Sequence, residues 1–187
     1  MKSLLQDEKL HRLQEKVDQD LAEEAREGGC QYCGSKVHRA DYERKPRGGP
    51  EEWDKRDSFC CAKDGCRRRL TPPSVRFLGR KIYVGVVVVL ISAMQHGLKP
   101  GRVKVLGETL GIDVRTLQRW REWWLSTFVA SPFWKQAKAR FMSPLDERKM
   151  PLSLVNAFGQ PAREKVLELL KFLTPITTES GKEARVM

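Results

Sequence analysis

The strongest constraint on this chain is a pair of cysteine clusters, CQYCG at 30–34 and FCCAKDGC at 59–66. Cys30 and Cys33 have C-x-x-C spacing, which on a tight turn aims two thiolates at one point, and Gly34 lets the backbone turn toward the sulfurs. A tetrahedral ion needs two more ligands, and the second cluster supplies them. Strand residues alternate between faces, so in SFCC Cys61 shares a face with Phe59, the obvious core residue. That selects Cys61 and Cys66 and leaves Cys60 on the opposite face as a small apolar filler; Cys60 in place of Cys61 stays open. Four sulfur ligands imply a structural zinc ion with no position for an activated water. The competing readings fit less well. No thioredoxin-like strand–helix pattern surrounds the C-x-x-C, and His38, a substitute ligand, falls mid-strand.

The flanking segments have distinct characters. Residues 1–29 read as an amphipathic helix with Leu10, Leu13, Val17 and Leu21 on one stripe, stopped by Gly28 and Gly29. Packing on its own domain is the first expectation for this helix, and a homodimer contact the second. Residues 30–78 hold two expected strands, KVHRADY (36–42) and DSFCC (57–61), with a loop, RKPRGGPEEW (44–53), between them. Residues 79–130 read as helical. Their run IYVGVVVVLISAM, at 13 residues, fits a buried helix and falls short of the about 20 that span a bilayer. Residues 131–176 form a helical extension in which Val166, Leu167, Leu170 and Leu173 share a side, and 177–187 look disordered. The expected fold is mainly α with a small β zinc ribbon: N-terminal helix, four-cysteine zinc ribbon, three-helix helix-turn-helix domain and helical C-terminal extension.

Charge narrows the partners. The chain has 35 Lys and Arg against 24 Asp and Glu, a net +11. Such an excess favours polyanions, nucleic acid first. The N-terminus is rich in acids and lacks the apolar core of a signal peptide. The expected location is the cytoplasm, associated with the nucleoid and without a membrane, where reduced thiols favour metal over disulfide.

The segment VKVLGETLGIDVRTLQRWREWW (103–124) meets the demands of a helix-turn-helix. Gly107 stands where two helices approach, Gly111 at the turn, and Ile112, Leu117 and Trp120 at the apolar positions after it. Leu106, Leu110 and Trp124 extend this core toward the Val-rich helix, and Trp123 joins it as a packing residue. The other face of the second helix is polar. Arg reads guanine and Gln reads adenine through paired hydrogen bonds, so Arg115, Gln118 and Arg119 are the expected base readers. Thr116 is expected on a base or a phosphate, and Arg102, Lys104 and Arg121 on the phosphate backbone. A basic bridge, Arg67, Arg68, Arg69, Arg76, Arg80 and Lys81, joins the ribbon to the helices. TPPS in its middle forces an extended path, and the bridge is expected to clamp phosphates.

The order of these parts, CQYCG, an aromatic-x-Cys strand, GCRRRLTPPS and LGIDVRTLQRWREWW, resembles the N-terminal region of bacterial insertion-sequence transposases, over about residues 30–125. The resemblance implies a zinc ribbon and helix-turn-helix that bind double-stranded DNA in a mobile-element setting. Those transposases continue into a large ribonuclease-H-like domain, for which residues 126–187 are too short. No nucleophile elbow, phosphate loop or His-rich metal site is present either. The expectation is therefore a non-catalytic DNA-binding protein, such as a repressor, a transposition accessory factor or a domesticated fragment, with a transposase or recombinase as its partner. A zinc-ribbon protein–protein adaptor and an RNA-binding ribbon protein are the alternatives.

Overall fold

The structure, a computed structural model, describes residues 2–44, 46–78, 83–159 and 162–178. A single turn of helix, α1 (Lys2–Leu5), precedes the long α2 (Glu8–Glu27). Asp7 caps α2 by accepting from the Leu10 amide at 3.0 Å, with Glu8 in the first turn and Arg26 in the last, as the helix dipole favours. The buried line of α2 is Leu10, Gln14, Asp18 and Ala22. This differs from the expected stripe: Leu13 is 40% exposed, and Val17 and Leu21 are half-buried. Polar partners rotate the helix. Gln14 donates to the Val75 carbonyl at 3.5 Å, and Asp18 accepts from the Val75 amide at 2.7 Å.

Five short strands follow: β1 (Val37–Arg39), β2 (Tyr42–Glu43), β3 (Lys55–Arg56), β4 (Phe59–Cys61) and β5 (Arg69–Leu70). β1, β4 and β5 form an antiparallel sheet with β4 central, and β2 pairs antiparallel with β3. The expected strand over 36–42 is thus divided, because Asp41 turns inward to accept from the Ser58 amide at 3.1 Å. The stretch 46–53 docks on the helices. The Arg47 carbonyl accepts from the Val84 amide at 3.1 Å, and Trp53 is 1% exposed with its indole N–H on Glu15 at 2.6 Å.

α3 (Gly85–Met94) is buried from Gly85 through Ala93, as its apolar sequence requires. Ile82, at the start of the expected helix, lies outside the described residues. α4 (Pro100–Leu110) begins with Pro100 in its first turn, and Gly111 closes it at φ +63°. α5 (Val114–Trp123) starts at the Asp113 cap, whose carboxylate accepts from the Arg115 amide at 2.8 Å, and runs on as a π-helical turn, Trp124–Phe128. α6 (Pro132–Ala137), α7 (Leu152–Ala157) and α8 (Arg163–Phe172) complete the chain. One apolar cluster runs from Leu10 and Trp53 through α3, Leu117, Trp120 and Trp124 to Leu154, Leu169 and Leu173. The core therefore crosses the segment boundaries near 29, 78 and 130. Thr177, expected in a disordered tail, is buried and accepts from the Ser74 amide at 3.0 Å. Residues 179–187 of that tail lie outside the described residues. Among the described residues no helix is long and apolar enough to cross a membrane.

Candidate metal centre and basic helix face

The sulfur atoms of Cys30, Cys33, Cys61 and Cys66 all lie within 4.8 Å of one another. Cys30 and Cys66 are 3.7 Å apart, and Cys33 and Cys61 are 3.5 Å apart. Each pair therefore joins one residue of the first cluster to one of the second. The turns that aim them are built alike. The Cys33 and Gly34 amides donate to the Cys30 carbonyl at 3.3 and 2.8 Å, and the Cys66 amide donates to the Lys63 carbonyl at 3.1 Å. β4 delivers Cys61 with Phe59 buried on the same face, as strand alternation requires. Cys60 points away from the cluster, its sulfur 3.4 Å from the Arg67 carbonyl.

The donor set fits a metal ion. Four thiols at this spacing match the size of a tetrahedral sulfur site. The Lys63 amide donates to the Cys61 sulfur at 3.4 Å, a bond that favours a thiolate. Hydrogen bonds from the Ser35 side chain, then from its backbone, draw the Cys33 thiol down to about 6, so Cys33 is a ready anionic ligand at neutral pH. Burial pushes Cys61 up to about 12, a cost that a bound cation offsets.

The basic bridge behaves differently along its length. Arg67, Arg68 and Arg69 are exposed. Arg67 pairs with Asp64, Arg68 stacks 4.1 Å over the Tyr32 ring, and Arg69 donates to the Ala40 carbonyl at 2.7 Å and the Ser58 hydroxyl at 2.9 Å. Beyond them the chain is non-helical, in keeping with TPPS, but from Ser74 to Leu78 it passes inside the protein. Arg76 is 8% exposed and lies 2.8 Å from Asp18 and 3.2 Å from Asp57. Its expected phosphate contact is therefore corrected: two carboxylates hold this guanidinium, one of them from the N-terminal helix. Arg80 and Lys81 lie outside the described residues. Nothing local in the basic run signals this lock, since its acids lie 58 and 19 residues from Arg76.

On the helical side, α5 and the π-helical turn after it bury Leu117, Trp120 and Trp124 at 0, 3 and 0% exposure. Arg115, Gln118, Arg119 and Arg121 are exposed on its other side, and Thr116 is half-buried with its hydroxyl accepting from Arg119 at 3.0 Å. Arg102 and Lys104 are exposed on α4, where Lys104 lies 3.9 Å from Glu108. Among the described residues, Arg102, Arg115, Arg119 and Arg121 have no salt-bridge partner. Gly107 sets the distance between the two helices: a Cβ there would stand 2.6 Å from the Ile112 carbonyl oxygen.

Compared with protein-family models, curated proteins and solved structures, the chain matches none.

Proposed function

We propose that this chain is a non-catalytic, sequence-specific binder of double-stranded DNA, with α4, the Gly111 turn and α5 acting as its helix-turn-helix. The observation that carries this reading is the exposed side of α5. Arg115, Gln118 and Arg119 are exposed, with neither arginine in a salt bridge among the described residues, on a helix whose opposite side is locked into the core. Side chains of these types suit guanine and adenine edges in the major groove. Arg102, Lys104 and Arg121 flank them for phosphate contacts, and Arg67, Arg68 and Arg69 add a second basic surface on the ribbon. Zinc, held by Cys30, Cys33, Cys61 and Cys66, fixes the ribbon. The resemblance to transposase DNA-binding regions supports the same reading, with a repressor, accessory factor or domesticated fragment as the form and a transposase or recombinase as the partner.

The test is selection of bound duplexes from a random pool by zinc-loaded protein at physiological salt. An enriched motif, lost in Arg119→Ala, is expected. A palindromic motif would add a two-fold assembly. Retention without enrichment would reduce the protein to a non-specific polyanion binder, and no retention would overturn the reading in favour of a protein adaptor.

A further inference from the structure

We propose that the solvent side of α2 pairs antiparallel with the α2 of a second copy of this chain, through a charge pattern that complements itself. Lys9, Leu13, Lys16, Asp20, Glu24 and Glu27 are exposed on α2. At 3.6 residues per turn they fall within about 80° of one another around the helix axis. Their charges are sorted by position: Lys9 and Lys16 stand in the first half of the helix, and Asp20, Glu24 and Glu27 in the second. Arg12, exposed beside them, adds to the basic half. The remaining charged groups of α2 are engaged elsewhere. Glu8 lines the recess beside the 47–50 loop, Glu15 accepts from the Trp53 indole, and Asp18 is buried against Arg76. Glu23 pairs with Arg26 at 3.0 Å, where both line the cleft between α2 and β1.

This order is unfavourable for a lone helix. A cation in the first turn and acids in the last oppose the helix dipole. Arg12 and Lys16 are like charges four residues apart, and so are Asp20 and Glu24. Lys16 and Asp20 have opposite signs at that spacing, yet no ion pair joins them. Lys9, Arg12, Glu24 and Glu27 also lack a salt-bridge partner among the described residues. An antiparallel second copy offsets these terms. With a two-fold axis beside Val17, Lys9 of one copy meets Glu24 and Glu27 of the other, Lys16 meets Asp20, and Leu13 meets Leu21. Parallel pairing would set like charge against like. The seam has apolar material: Leu13 is 40% exposed, and Val17 and Leu21 are half-buried at its margin, the stripe that the chain's own core leaves partly uncovered. The row from Lys9 to Glu27 is about 27 Å long at the usual rise per residue. One helix pair of that length is a small interface, so the dimer is weak and salt loosens it. The pairing rests on α2 alone and does not depend on the DNA reading.

Sedimentation velocity of the full-length, zinc-loaded protein without DNA, over a concentration series at low and high salt, tests the proposal. A monomer–dimer equilibrium that salt weakens is expected. Leu13→Glu should raise its dissociation constant about tenfold or more, by charging the seam. Lys16→Glu sets acid against Asp20 of the other copy and should raise it about tenfold, because the two-fold changes two pairs at once. Adding Asp20→Lys to Lys16→Glu restores opposite charges across the axis and should return the constant toward that of the wild type. Both charged positions are exposed, and circular dichroism checks that each variant is folded. A protein that stays monomeric at about 0.5 mM, where weak dimers still form, overturns the proposal. So does a dimer indifferent to salt, to Leu13→Glu or to Lys16→Glu, and so does a double variant that fails to recover association.

Discussion

Among single residues, Cys61 and Arg76 mark what local sequence can and cannot reveal. Cys61 was legible because strand alternation is a local rule: Phe59 must be buried, and Cys61 follows it to the same face. The burial of Arg76 was not legible. It stands in a basic run, and only the folded chain brings Asp18 and Asp57 to it. Both positions can be tested. On the proposed zinc reading, Cys66→Ser should lose the metal and loosen the sheet of β1, β4 and β5, whereas Cys60→Ser should keep it, because Cys60 points away from the other four sulfurs. Metal content per chain, measured after gel filtration, reads the difference, and equal loss from both would sink the ligand assignment. Arg76→Ala should be strongly destabilising, by about 3 kcal/mol or more, because it leaves the buried Asp18 carboxylate without its cation. Urea unfolding monitored by tryptophan fluorescence checks this. The same change at Arg119, exposed on α5, should leave stability within about 0.5 kcal/mol.

Among the secondary-structure elements, the long periodic helices and the strands β1 and β4 were readable, and the two-residue strands β3 and β5 were not. α5 declares itself through the Asp113 cap and the Leu117–Trp120–Trp124 spacing, which set its buried side before any partner is known. β3 and β5 are two residues each, too short for any pattern, and exist because β2 and β4 offer them a ladder. α2 lies between these cases: its apolar residues suggested one stripe, and the hydrogen bonds of Gln14 and Asp18 with Val75 chose the neighbouring one. The α4–α5 pair gives a test whose sign is informative. In an ordinary helix interior Gly→Ala stabilises by about 1 kcal/mol. At Gly107 the added methyl would meet the Ile112 carbonyl oxygen at 2.6 Å, so Gly107→Ala should destabilise instead, by about 2 kcal/mol. A rise in melting temperature for Gly107→Ala would show that the two helices do not approach as closely as this.

Across the molecule, the N-terminal helix is the element that ties distant parts of the chain together. Asp18 and Gln14 hold Val75 in the segment between β5 and α3, Glu15 holds Trp53 of the docked loop, and Asp7 reaches the C-terminal α8 through Arg163 at 2.9 Å. The last contact has a definite pH signature. The Arg163 hydrogen bond, aided by the Leu10 amide, lowers the Asp7 carboxyl below its ordinary value of 3.8. A carboxyl depressed in the folded state binds its proton more readily when unfolded, so its contribution to stability is complete above the ordinary value and fades as pH falls through the folded one. Arg163→Gln removes the cation from this pair and should melt below the wild type at pH 6. The gap should narrow as pH falls below the carboxylate range, because Asp7 is then neutral in both proteins. Paired melting curves from pH 6 to pH 2 measure it. A gap that stays constant to the acid end would mean that Arg163 acts through packing of its alkyl stem on α2, and that the ends of the chain are held together by apolar contact between α2 and α8 alone.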